Sequence, residues 1–101
     1  MKSKNHLSIT GVIATDVTFL PARRLWRFSM IHHFGGHNPS LYLQCVFWGR
    51  KSEEILALGP KQGDSVSIDA YVRPCGDRFE AVLNDLSIFT GEKTIVQPKK
   101  E

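Results

Sequence analysis

The run Leu41–Arg50, with the sequence LYLQCVFWGR, limits the possible folds of this chain more than any other stretch. Its residues favour a strand, and because side chains alternate along a strand, odd and even positions lie on opposite faces. One face is entirely apolar and includes Cys45, whereas the other places the rings of Tyr42 and Trp48 around Gln44 and a valine. A strand buried on one side normally has polar residues on the other. Two rings on the solvent side therefore predict a face that binds something flat or is covered by another subunit.

Four further strand-like runs and one helical passage accompany this strand, and turn residues separate them. The first run, 6–19, contains Gly11, where the apolar parity shifts as it does at a bulge or a sharp bend. Residues 50–58 form the helical passage, with Ser52 as the expected N-cap. The order β-β-β-α-β-β predicts an all-β fold with one short helix, the OB-fold, a five-stranded Greek-key barrel with the helix between strands three and four. The other runs are 24–34, 65–73 and 78–89, the last with an expected slip near Asn84 and Asp85.

The length of 101 residues allows one core, so we expect one domain over 1–90 and a short flexible tail over 91–101. No apolar run approaches the roughly 18 residues of a membrane span, and the N-terminal residues do not resemble an export signal. The two cysteines, Cys45 and Cys75, lack C-x-x-C spacing. We interpret them as free thiols, with a bridge between them as the alternative. A cytoplasmic protein without membrane contact is therefore expected.

Charge is distributed unevenly along the chain, although the net charge is only +3. No acidic residue lies between Asp16 and Glu53, whereas eight lie from Glu53 to Glu92. One interpretation is that the basic third of the chain faces a polyanion, and the alternative is a dipolar, solvated surface. The basic third contains Arg23, Arg24, Arg27, Arg50 and Lys51.

Three passages resemble the bacterial single-stranded DNA-binding protein (SSB) family, over roughly residues 5–89. HLSITGVIATD is similar to the opening strand of the family, with its Gly within the strand and its following Asp. LYLQCVFWGR is similar to the third strand, which ends aromatic-Gly-basic, and LGPKQGDSVSIDAYVR is similar to the helix end, the turn and the fourth strand. The resemblance implies single-stranded DNA binding without marked sequence preference, in replication, recombination or repair. It also implies a bacterial, nucleoid-associated homodimer or homotetramer.

The resemblance also assigns roles to individual residues. Tyr42 takes the position of a base-stacking Trp, and Trp48 that of a stacking Phe. Gln44 takes a position that is usually basic, and Arg73 matches a basic residue of the fourth strand. Rings stack on any base and cations contact phosphates, so we predict a nucleic-acid site from these residues and their neighbours. The remaining members of the predicted site are Arg23, Arg24, Arg27, Arg50, Lys51 and His33.

Two departures from the family keep alternatives open. After Arg73 the family often has another stacking ring, but here Pro74 and Cys75 follow. The acidic, aromatic-tipped extension that recruits replication and repair enzymes does not appear, and in this respect the chain resembles the primosomal replication protein PriB. One alternative is therefore a PriB-like component that acts mainly through contacts with replication or primosome proteins. Another is an OB-fold interaction module without nucleic-acid affinity, whose rings are covered by a partner.

Metal and catalytic sites find little support in the sequence. His32, His33 and His37 flank a Gly-Gly turn, but no Cys or carboxylate lies beside them, which makes a poor zinc site. We expect these histidines to add weak charge and stacking at a hairpin tip. Neither a Ser-His-Asp arrangement nor a carboxylate pair can be assembled from the motifs. We therefore expect no metal, no cofactor and no enzyme activity.

Overall fold

The computed structural model describes residues 5–89, which form six strands and one helix. They are β1 (Leu7–Ile13), β2 (Thr18–Leu20), β3 (Leu25–His33), β4 (Ser40–Phe47), α1 (Arg50–Ala57), β5 (Ser65–Cys75) and β6 (Arg78–Phe89). Strands β1, β5, β6, β4 and β3 are hydrogen-bonded in that order, and β1 also pairs with β3, so these five strands close into a barrel. The barrel pairings are antiparallel except for β4 with β6, which is parallel. The predicted all-β barrel with a helix between its third and fourth strands is confirmed.

The core fills the barrel with alternate residues of each strand, as the sequence pattern predicts. Ile55 of α1 is buried in the same cluster and anchors the helix to the barrel. Both cysteines are free, and burial raises the pKa of the Cys45 thiol to about 12, so this side chain packs as a small apolar group. The core consists of Ile13, Phe28, Met30, Cys45, Phe47, Ile55, Val66, Ile68, Ala70, Ala81, Leu83 and Leu86.

The first predicted strand, 6–19, is wrong as a single element, because it is divided into β1 and β2. From Leu7 to Val12, β1 pairs with β5, and from Val12 onward it pairs with β3. Strand β2 then pairs with β3 at the edge of the sheet. Gly11, where a bulge or sharp bend was expected, lies just before Val12, the residue at which β1 changes partner, and its pairing with β5 has no register shift.

Replacing Gly11 with alanine is expected to lower the free energy of unfolding by about 1–3 kcal/mol, the range seen for overpacked sites. An added Cβ would overlap the carbonyl oxygen of Ile31 and the methyl group of Met30, and the carbonyl is held in a strand. Urea denaturation measures the effect. The control is Thr10→Ala at the neighbouring exposed position, which should change stability little. Equal stability of the two variants would contradict the close approach.

The helix begins one residue after Gly49, and this corrects the predicted N-cap. Gly49 is the N-cap residue, with a positive φ of 69° that glycine adopts without strain. Ser52 lies within the first turn and is buried, and its hydroxyl donates a hydrogen bond of 2.6 Å to the carbonyl of Gly49. The predicted Ser52 cap was wrong because Gly49 already makes the turn that starts the helix.

The long hairpin of β5 and β6 positions the candidate site. Its strands have 11 and 12 residues, longer than the 8 of β4, and β6 pairs with β4 only at Ala81 and Val82. The register shifts between Asp69 and Ala70, opposite Asn84, so the predicted slip is confirmed. Because the β4 pairing involves only two residues, the tip of the hairpin separates from β4 and leaves an open groove.

The predicted tail, 91–101, lies outside the described residues. Within residues 5–89, no helix is long and apolar enough to cross a membrane.

Candidate nucleic-acid interface

A groove of about 360 Å³ opens between β4 and the tip of the β5–β6 hairpin. Strands β4 and β6 run parallel, so their first residues lie at the same end of the barrel. Tyr42 of β4 and Phe79 of β6 both line the groove and are 71% and 67% exposed. Rings this exposed contribute little to the core and can accept a stacked partner. We call this the ring groove; its lining is completed by Ser29, Leu43, Gln44, Cys75 and Arg78.

Trp48 lies in a separate pocket of about 280 Å³. It is 38% exposed, and the guanidinium carbon of Arg73 lies 4.8 Å from the centre of its ring, a cation–π contact. Arg24 lines the same pocket and has a φ of 56°, a left-handed conformation that is uncommon outside glycine. We call this the arginine pocket; it is lined by Arg23, Arg24, Leu25, Trp48 and Arg73.

Val46 separates the two sites, and this corrects the expectation of one continuous ring face on β4. Val46 points away from the barrel, yet it is 0% exposed because it packs in a small second cluster with Leu25 and Val82. The half-buried Leu20 packs on the same cluster. Side chains from β2, β3 and β6 therefore cover the middle of the outer face and leave Tyr42 and Trp48 on opposite sides of it.

A buried carboxylate lies behind the arginine pocket. Glu80 is 0% exposed and accepts two hydrogen bonds from Arg23, one from each terminal nitrogen, at 3.2 and 2.9 Å. It also accepts one from Arg73 Nε at 2.7 Å. Burial by itself would raise the pKa of Glu80, but the hydrogen bonds and charges of the two arginines outweigh it and lower the pKa to about 2. The same hydrogen bonds raise the pKa of Arg23. Glu80 is therefore ionised and leaves a net charge of about +1 on the three side chains.

The other predicted site residues are spread around these two sites. Gln44 lines the ring groove, and Arg27 lies opposite Val46 in the register, on the strip between groove and pocket. Arg50 is exposed at the first position of α1, and Lys51 makes an ion pair of 3.3 Å with Glu54. His33 lines a different groove, with Gly11 and Phe89, although the register places it opposite Ser40 and therefore diagonal to Tyr42 on the same face of the sheet.

Three residues beside these sites were not predicted from the sequence. Phe79 has the same parity as the core residues Ala81 and Leu83, and this parity gives no sign that it is exposed. It is exposed because the hairpin extends beyond the barrel, and it pairs with Pro74, where the family resemblance called for a ring. Arg78 and Glu80 flank it. The one signal in the sequence was the length of the strand-like runs 65–73 and 78–89, which indicates a hairpin long enough to extend beyond the barrel.

Two of the histidines near the turn, His32 and His33, are held by hydrogen bonds. His32 Nδ1 donates to the carbonyl of Thr10 at 2.6 Å, and His33 Nδ1 shares a hydrogen bond of 2.7 Å with the hydroxyl of Ser40. Among residues 5–89, no group of three or more metal-ligating side chains comes together.

Comparison with solved structures shows which fold this is. The second single-stranded DNA binding protein (SSBb) of Mycobacterium smegmatis superposes with a TM-score of 0.73 and 19% identity, over 97% of this chain and 100% of that one. A mitochondrial single-stranded DNA binding protein of S. cerevisiae gives 0.75 and 16%, over 90% and 100%. The Plasmodium falciparum SSB, solved in complex with single-stranded DNA, gives 0.66 and 16%, over 89% and 98%. No family model matches the sequence, and a search of curated proteins finds no match. The chain has the OB-fold of these proteins.

Proposed function

We propose that this chain binds single-stranded DNA without marked sequence preference, along the ring groove and the arginine pocket. The observation that carries the proposal is the pair of largely exposed rings, Tyr42 and Phe79, that two diverging strands contribute to one open groove. A folded chain gains nothing from leaving two such rings in water, whereas unstacked bases supply the flat faces that cover them.

In the proposed complex, the aromatic rings stack on bases and the arginines contact phosphates. Each stacked base contributes about 1–3 kcal/mol, and because every base has a π face the contact tolerates any sequence. A duplex hides its base faces inside the stack, so these rings favour single strands. Arg24, Arg73 and Arg78 reach the phosphates from the pocket and the groove. The left-handed backbone of Arg24 supports a binding role, because strain of about 1–3 kcal/mol tends to be kept at functional sites.

Assembly into a homodimer or homotetramer completes the proposal. On one edge, β1 pairs with β5 from Leu7 to Val12, but on its other edge the pairing with β3 begins only at Val12. Within the described residues β1 has no strand partner on this edge from Leu7 to Gly11, and His32 occupies one backbone group there, the carbonyl of Thr10. An unpaired edge of this kind accepts a strand from a second copy.

A titration with oligo-dT tests the proposed function. Trp48 fluorescence should be quenched on binding, against the background of Trp26, which packs on the core. With about three phosphates contacted, a fourfold rise in salt should weaken binding by about tenfold to thirtyfold, since each contact contributes a slope of about −0.7. Absence of binding at low salt would contradict the proposed function.

Sedimentation of the same samples measures assembly, and a single-copy mass at these concentrations would contradict the dimer or tetramer.

The cellular role is a further part of the proposal. Replication, recombination and repair all expose single strands, and a PriB-like primosome component would bind them too. Pull-downs with replication proteins separate the two, because only the PriB-like role depends mainly on protein contacts. A chain that captures partners but does not quench with oligo-dT would be the interaction module instead.

A further inference from the structure

Glu80 is an acidic residue directly behind the arginine pocket, where attraction of phosphates alone would favour only basic residues. Its carboxylate lies fully buried behind the arginine pocket and pairs with two of the three arginines that line it. Each carboxylate charge weakens the attraction for phosphates, and burying one is costly unless it is fully hydrogen-bonded. The position of Glu80 therefore calls for a reason other than attraction of the ligand.

The geometry of its hydrogen bonds supplies that reason. Glu80 holds Arg73 through Nε alone, which restrains the guanidinium and leaves both terminal nitrogens unused by Glu80. The same guanidinium lies 4.8 Å from the centre of the Trp48 ring. Arg23 differs, since Glu80 takes a hydrogen bond from each of its terminal nitrogens. Within residues 5–89, Arg73 is thus held against Trp48 with no hydrogen bond on its two terminal nitrogens, and Arg23 holds the carboxylate from the other side.

We propose that Glu80 is a positioning residue for nucleic-acid binding, which holds Arg73 against Trp48 so that ring and guanidinium form one surface for a base and its phosphate. This inference rests on the proposed function. A flexible arginine would lose rotamer entropy when it bound a phosphate, whereas Arg73 loses less because it is already held. The guanidinium lies over the indole ring, and because it is planar it can itself stack on a base, which a lysine cannot do.

The test compares two variants that change charge identically. Glu80→Gln and Glu53→Gln each add one positive charge, and Glu53 is exposed on α1. Attraction by charge alone predicts that both variants bind oligo-dT slightly more tightly than the unaltered chain, with a steeper salt dependence. Positioning predicts that Glu80→Gln binds about threefold to tenfold more weakly, with a shallower salt dependence, while Glu53→Gln does not weaken. Equal or tighter binding by Glu80→Gln than by Glu53→Gln would overturn the inference.

A second variant decides the matter if Glu80→Gln does not fold. Arg73→Lys keeps the charge but loses both the Nε hydrogen bond and the planar contact with Trp48. It should weaken binding by a similar factor, and where both variants fold, combining them should weaken binding no further, because they break one unit. Unchanged affinity of Arg73→Lys would overturn the inference. If the unaltered chain does not bind, the proposed function fails first; if it binds and the variants bind equally well, only the role of Glu80 fails.

Discussion

Replacing Tyr42 and Phe79 together with alanine should weaken binding of an oligo-dT strand by about thirtyfold or more. Each ring contributes about 1–3 kcal/mol when a base stacks on it, so the pair contributes at least about 2 kcal/mol. The free energy of unfolding should change little, because both rings are more than half exposed. Anisotropy of a labelled oligonucleotide measures the affinity without depending on the residues that are removed.

The chain offers a matched control for this experiment. Phe89 is also a phenylalanine of β6, is 40% exposed, and lies at the opposite end of the strand from Phe79. Phe89→Ala removes an equal ring from another surface and should leave the affinity unchanged. The proposed stacking would be refuted by a Tyr42 and Phe79 double variant that binds like the Phe89 variant. A double variant that unfolds would show instead that the rings support the hairpin.

The barrel could be predicted from the sequence because its determinants are local. Alternation of apolar residues marks each strand, and Gly11 and Asn84 mark the places where strands change partner or slip. Each of these signals depends on neighbours within a few residues. The division of the first run into β1 and β2 was missed because it depends on which strand lies alongside, and parity contains no such information.

The site was harder to predict because its determinants are distant in the chain. Parity placed Val46 correctly on the outer face of β4, but it could not show that Leu25 and Val82 cover it. Parity also gave Phe79 the direction of a core residue, and only the short β4–β6 pairing places it beyond the barrel. The direction of a side chain on a strand shows whether it is buried or exposed only when its long-range contacts are also known.

The charges available to a ligand could not be predicted from the sequence either, because ion pairs also depend on contacts between distant residues. Separate basic and acidic thirds suggested that the arginines of the first are free to meet a polyanion. Arg23 instead pairs with Glu80, 57 residues away, so part of the basic third is already neutralised within the fold. The charge that remains for a ligand is smaller than the sequence suggests and is concentrated on Arg24, Arg73 and Arg78 around the two sites.

Lowering the pH from about 6 to about 2.5 should remove about 1–3 kcal/mol of stability through Glu80 alone. Its pKa is about 2 in the folded chain, against an ordinary value of 4.5. The unfolded chain therefore takes up a proton first, so the contribution is complete above about pH 5 and is lost as the pH falls towards 2. The lower end of the range allows for solvent, because the side chains of Arg23 and Arg73 are about a third exposed.

Urea denaturation of the unaltered chain and of Glu80→Gln across this range isolates the effect. Glutamine does not titrate, so the stability of the Glu80→Gln variant should fall less as the pH is lowered. The stability curves of this variant and of the unaltered chain should converge as the pH nears 2. The exposed Glu53→Gln variant removes a carboxylate but leaves Glu80 and its two arginines intact, so it should follow the unaltered chain. Parallel curves for the unaltered chain and Glu80→Gln would mean that Glu80 is not held by its arginines in solution. The ligand-free stability thus tests the ion-pair geometry itself, independently of whether any strand of DNA binds there.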